Sequence, residues 1–110
     1  MTDAASGGAD EAERWQAEVR VTHGAGLHAR PSVIFTRLAR SYPCQVEFAV
    51  DGDGAWLNGK SIVRVMGARV RSGSVLGIRA EGVGAREAVH ALKSLVERNF
   101  DEETERVASA

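Results

Sequence analysis

The chain is short of several residue types, and each shortage closes a route. Cys44 is its one cysteine. That leaves no internal disulfide framework and no cysteine cluster for zinc, and a single thiol fits a reducing compartment. No apolar run approaches the roughly 20 residues that cross a bilayer. The opening stretch, MTDAASGGADEAER, has neither the basic nor the apolar region of a secretory signal. A cytoplasmic protein with no membrane partner is expected. Aromatic residues make up 5% of the chain, and no helix-turn-helix or stacking motif accompanies its basic residues. Nucleic acid is therefore disfavoured as a partner.

What remains is the material of one small globular domain. The 110 residues are 44% hydrophobic, enough to bury a core without staples. The net charge of −1 is unevenly spread: residues 1–14 carry −3, residues 101–110 carry −3, and the body between them carries +5. Three segments follow: an acidic N-terminal tail (1–14), a domain (15–100) and an acidic C-terminal tail (101–110). The tails are expected to be disordered. A basic body suits an anionic partner or an acidic protein surface.

Hydrophobic periodicity gives the elements. WQAEVRVT (15–22) alternates, with Ala17, Val19 and Val21 on one face, so a half-buried strand is expected. HGAGLHARP is a loop entering a helix at about Arg30 or Pro31, and Pro43 ends that helix. Val33, Ile34, Phe35, Leu38 and Ala39 form its apolar side. CQVEFAV (44–50) alternates, with Cys44, Val46, Phe48 and Val50 inward. DGDG is a turn, and AWL a short returning strand with Trp56 or Leu57 inward. Ser61 sits at the N-cap of IVRVMGARV, a helix weakened by Gly67. SVLGIRA (74–80) is the fourth strand. AREAVHALKSLVERNF is an amphipathic helix striped by Ala85, Ala88, Val89, Leu92, Leu95 and Val96. The order β-α-β-β-α-β-α implies an α+β layer pair, with helices on one face of a four-stranded sheet.

Two stretches look made for phosphate. GAWLNGKS (54–61) fits the G-x-x-x-x-G-K-S loop of nucleotide hydrolases. That loop needs a tight nest of backbone N–H groups, and the bulky Trp56-Leu57 pair favours strand geometry instead. GLHARP (26–31) sets His28 directly before a helix start. Unpaired N–H groups and the helix dipole favour negative charge there. Arg30 adds a permanent charge whose fork matches phosphate oxygens, and a neutral imidazole is a nucleophile. From residue types alone, an ordinary loop histidine is the commoner explanation. Ser61 likewise reads most simply as an N-cap, with a phosphorylation site as the alternative. The apolar residues after it, Ile62, Val63, Val65 and Met66, exceed what one side of a short helix needs, so some of them are expected to be exposed and sticky, as a docking surface would be. His23 reads as a surface-loop residue, His90 lies on the wet face of the last helix, and Cys44 reads as a buried thiol. No metal site and no cofactor are expected.

Taken together, GLHARP, GKSI (59–62), AEG (80–82) and EAVHALKSLVE resemble the histidine-containing phosphocarrier proteins, HPr, of the bacterial phosphotransferase system. The resemblance covers about residues 16–100. It implies an open-faced β-sandwich: a four-stranded antiparallel sheet covered on one face by three helices. It implies that His28 is phosphorylated at Nδ1 by phosphoenolpyruvate-charged enzyme I and passes the group to an EIIA-type acceptor. Arg30 matches the family's active-site arginine, and the backbone amides of Ala29 and Arg30 hold the phosphate. Ser61 matches the serine modified by a dedicated kinase, HPr kinase/phosphorylase, in many bacteria. Family docking surfaces fall on Val33, Arg37 and Arg40, and on Ile62, Val63, Arg64 and Met66. The implied protein is a monomer and a carrier rather than a turnover enzyme. There are departures: Ala25 replaces a common Asn or Ser, the hairpin is about two residues longer than usual, and the tails are extra. The ending RNFDEE resembles the nitrogen-related branch, NPr. Two other functions compete: a regulatory binding module switched at His28 or Ser61, and an ATP-binding protein using residues 54–61.

Overall fold

The computed structural model describes residues 13–24, 26–52 and 54–101. Both acidic tails fall outside it apart from Glu13, Arg14 and Asp101. Among the described residues, strands β1 (Arg14–Arg20), β2 (Gln45–Val50), β3 (Leu57–Asn58) and β4 (Val75–Glu81) form one antiparallel sheet in the order β1-β4-β2-β3. Helices α1 (Ala29–Arg40), α2 (Ile62–Gly67) and α3 (Ala85–Glu97) accompany it, with a short turn of 3₁₀ helix at Asn99–Asp101. The order matches the alternation read from the sequence. Arg14, grouped by composition with the leading tail, is instead the first residue of β1 and pairs with Glu81.

Period-2 alternation decides which side chains enter the core. Val19, Val46, Phe48, Leu76, Ile78 and Ala80 point to the helix side and are buried. The α3 stripe fills the other half of the core: Ala85, Ala88, Val89, Leu92, Leu95 and Val96 are all buried. Phe35 of α1 meets Phe48 of β2 edge-to-face at 6.5 Å. Burying each such aromatic stabilises the fold by about 1.5–3 kcal/mol.

Three expectations need correction. Val33, read as part of the apolar side of α1, is exposed, while Ser32 and Thr36 are buried in its place. Their hydroxyls are satisfied within the chain: Ser32 Oγ donates to the Leu27 carbonyl at 3.1 Å, and Thr36 Oγ1 to the Ser32 carbonyl at 2.9 Å. The returning strand is only Leu57–Asn58. Leu57 packs against the core, but Trp56 does not: it lies on the helix-free side of the sheet, over Gly77, with the Arg79 guanidinium 4.1 Å from its ring centroid. Gly77 makes room, because a Cβ there would meet the indole at 3.2 Å. Finally, the last helix ends at Glu97 rather than Phe100. Asn99 and Phe100 adopt left-handed backbone (φ 55 and 57), which turns Phe100 back into the core at 2% exposure.

Candidate functional site

Two loops enter helices, and each carries one of the phosphate-like patterns. In the first, Gly26 adopts φ +69 and lies so close to residues 70–71 that a Cβ would fall 2.3 Å from the Val70 carbonyl oxygen. Its N–H closes a turn on the His23 carbonyl at 2.9 Å, and the Leu27 N–H bonds Val70 O at 2.9 Å. Leu27 is buried. The chain is thus pinned on both sides of residue 27, and His28 follows as the N-cap of α1. His28 is exposed, in extended backbone, and its side chain makes no capping hydrogen bond. Ala29 and Arg30 are the first two helical residues, both exposed. No acidic side chain occupies the first turn of α1. A nucleophilic ring, a helix start and a guanidinium therefore share one exposed corner. Ala25 lies outside the described residues.

The second loop is built differently. The three N–H groups that would cradle a phosphate are all used internally. Gly59 N–H bonds Val46 O at 2.8 Å, Lys60 N–H bonds Asn58 Oδ1 at 2.9 Å, and Ser61 N–H bonds Asn58 O at 3.3 Å. Lys60 Nζ donates to the Tyr42 carbonyl at 2.6 Å. The helix that follows has six residues. Residues 54–61 form a strand and a cap, and hold no nest for a nucleotide phosphate. Ser61 fills the cap: its Oγ accepts from the Arg64 N–H at 3.2 Å.

The two helices stand side by side. Val33, Thr36, Arg37 and Arg40 of α1 and Ile62 of α2 line one groove. Val63 and Met66 project beyond it, 75% and 43% exposed, and Arg64 is exposed beside them, while Val65 is buried in the core. The residues assigned to docking thus form a basic, apolar surface flanking Ser61. Cys44 is buried as expected; desolvation pushes its thiol above the usual value, against the pull of the Lys60 charge.

A family model described as "PTS HPr component phosphorylation site" matches residues 15–98. The chain belongs to the HPr family. It is 36% identical over 85 residues to the phosphocarrier protein HPr of Pseudomonas aeruginosa, a match covering 77% of this chain and 93% of that one. With HPr of Streptomyces coelicolor the identity is 36% over 93 residues, 83% of this chain and 99% of that one. The crystal structure of HPr-C-His from Thermoanaerobacter tengcongensis aligns with a TM-score of 0.74 at 34% identity, over 80% of this chain and 97% of that one. The open-faced sandwich expected from the sequence is the HPr fold, and HPr is a phosphocarrier of the phosphotransferase system.

One contact near the site has no signal in the sequence. His23 lies in a loop, as expected, but is half-buried, with its ring centroid 5.4 Å from that of His28 and 6.1 Å from that of Phe100. Its spacing from His28 was visible, but the contact depends on the Gly26 turn and on the left-handed turn at Phe100, and neither leaves a periodic signal. His90 is exposed on α3, as read. Among the described residues no helix is long and apolar enough to cross a membrane.

Proposed function

We propose that His28 accepts a phosphoryl group from phosphoenolpyruvate-charged enzyme I and passes it to an EIIA-type protein. The observation that carries this reading is the state of His28: an exposed N-cap whose side chain is not engaged in capping the helix it precedes. The imidazole lone pair attacks phosphorus while the bond from phosphorus to the donor breaks, and that bond's electron pair leaves with the donor. The new phosphoryl oxygens then meet the N–H groups of Ala29 and Arg30 and the positive end of α1. The Arg30 guanidinium supplies further donors. Transfer onward reverses these steps, so the chain acts as a carrier and not as a turnover enzyme. Residues 15–100 are the working domain, acting as a cytoplasmic monomer without cofactor.

The groove between α1 and α2 supports the docking reading. Arg37 and Arg40 suit acidic partner surfaces, and Val33, Ile62, Val63, Arg64 and Met66 add apolar and basic contact. Ser61 lies within that surface. Phosphorylation by a kinase of the HPr kinase/phosphorylase type would place about two negative charges there. The position of Ser61 favours a second reading, in which the chain is also a regulatory module switched at this serine. The RNFDEE ending favours the nitrogen-related branch.

The test is transfer of label from phosphoenolpyruvate in the presence of enzyme I. The parent chain should become labelled at an acid-labile site, and His28→Ala should not. Equal labelling of both would refute the assignment of His28. For the second reading, binding of an EIIA-type protein should weaken when Ser61 is phosphorylated; unchanged affinity would sink it.

A further inference from the structure

His28 is solvent-exposed, and its side chain is not tied to the helix cap. An imidazole in that position has a broad χ2 and two different nitrogens to offer. Something must restrict it if one nitrogen is to meet phosphorus. Among the described residues, the aromatic ring it meets is that of His23, at 5.4 Å and tilted by 56°. His23 is itself held from another side: Phe100 meets it edge-to-face at 6.1 Å with the planes 70° apart.

Phe100 is anchored in turn. It is buried, it follows Asn99 through two successive left-handed residues, and the Thr22 hydroxyl donates to Asn99 Oδ1 at 2.9 Å. The turn carrying His23 is closed by the Gly26 N–H. A series of ring contacts therefore runs from the core through Phe100 and His23 to His28, fixed at its inner end and exposed at its outer end.

We propose that His23 is a positioning residue for phosphoryl transfer at His28. Its ring, clamped by Phe100, forms a wall that limits the His28 imidazole to orientations presenting one ring nitrogen outward. The effect is a reduction of rotational freedom before attack, which raises the share of near-attack geometries. This inference rests on the reading of His28 as the phosphoryl acceptor.

The test uses the whole chain and phosphoramidate, a small donor that needs no protein partner. The imidazole lone pair attacks phosphorus, the donor P–N bond breaks and ammonia leaves. Phosphorus NMR follows the rate and distinguishes the two phosphohistidine isomers, with His28→Ala giving the background from other histidines. Each variant is measured well below its own unfolding midpoint. The parent should form one isomer in large excess. His23→Ala should react about tenfold more slowly and lose the isomer preference. His23→Phe keeps a ring that can still meet Phe100, and should recover most of the rate and the preference. Phe100→Leu, which loosens the clamp, should fall between His23→Ala and the parent. The proposal is overturned if His23→Ala keeps the parent's isomer ratio and a rate within about twofold. It is also overturned if His23→Phe is as impaired as His23→Ala. A parent chain labelled no more than His28→Ala is a different result, and removes the acceptor reading itself.

Discussion

The starts of α1 and α2 make a controlled comparison inside one molecule. Both follow a glycine-containing loop, and both have an extended N-cap residue. At α2, Ser61 closes the cap with its own oxygen, the loop amides are paired internally, and Lys60 is tied to the Tyr42 carbonyl. At α1, the His28 side chain makes no capping hydrogen bond and is exposed. The stretch with the better-known phosphate signature is the one whose donors are already used. A pattern of residue types states which groups are present; the hydrogen bonds state which are available.

Breaking the comparison at its reactive end should have the largest effect. His28→Ala should lower phosphoryl uptake by at least about a thousandfold, as removal of a covalent acceptor does. A residual rate within tenfold of the parent would show that another residue takes the group. Next is the loop that presents His28. Gly26→Ala combines a disfavoured φ with a Cβ placed 2.3 Å from Val70 O, and should cost about 3 kcal/mol on chemical denaturation. A loss under 1 kcal/mol would mean the loop shifts freely, and that its close approach to residue 70 does not fix His28.

Exchanging the caps sharpens the contrast further. His28→Ser should abolish uptake yet stabilise α1 by about 1 kcal/mol, while Ser61→Ala should cost about 1 kcal/mol and leave uptake intact. If both changes moved stability in the same direction, the two caps would not differ as described. The smallest effect is expected at Lys60. Lys60→Met removes the bond to Tyr42 O and should cost about 0.5 kcal/mol, with phosphoryl uptake within twofold of the parent. It also removes the charge that partly offsets the burial of Cys44, so the pH at which that thiol begins to react should rise. A thiol-labelling profile that stayed still, or moved down, would contradict this. In the parent, the raised thiol value also sets a sign for stability. Its contribution is present below the ordinary thiol range and is lost as pH rises through the raised value.

Most of the framework was legible because it rests on local periodicity. Alternation in residues 15–21 and 44–50 and the stripe from Ala85 to Val96 report directly which side is buried. What was not legible depends on partners far along the chain. Trp56 faces outward because Gly77, on another strand, has no side chain to obstruct it. Ser32 and Thr36 enter the core because nearby carbonyls accept their hydroxyl protons, which an apolar stripe count cannot register. His23 meets Phe100 where the Thr22 hydroxyl is bonded to Asn99, a contact that spans 77 positions. The placement of His28, Arg30 and Ser61 at helix starts was legible because the rules for helix boundaries are local.

The helix-free side of the sheet has a consequence of another kind. It is studded with opposed charges, Arg79 against Glu47 at 2.8 Å and Arg14 against Glu81 at 3.4 Å, with Trp56 lying over the Arg79 guanidinium. Such exposed pairs add little to folding. Their effect is colloidal: a one-sided sheet with a bare apolar back would stack on its own copies when concentrated, and this mosaic of charge makes that stacking unfavourable. The charge mosaic on this face thus works against face-to-face stacking of sheets, an effect separate from folding stability.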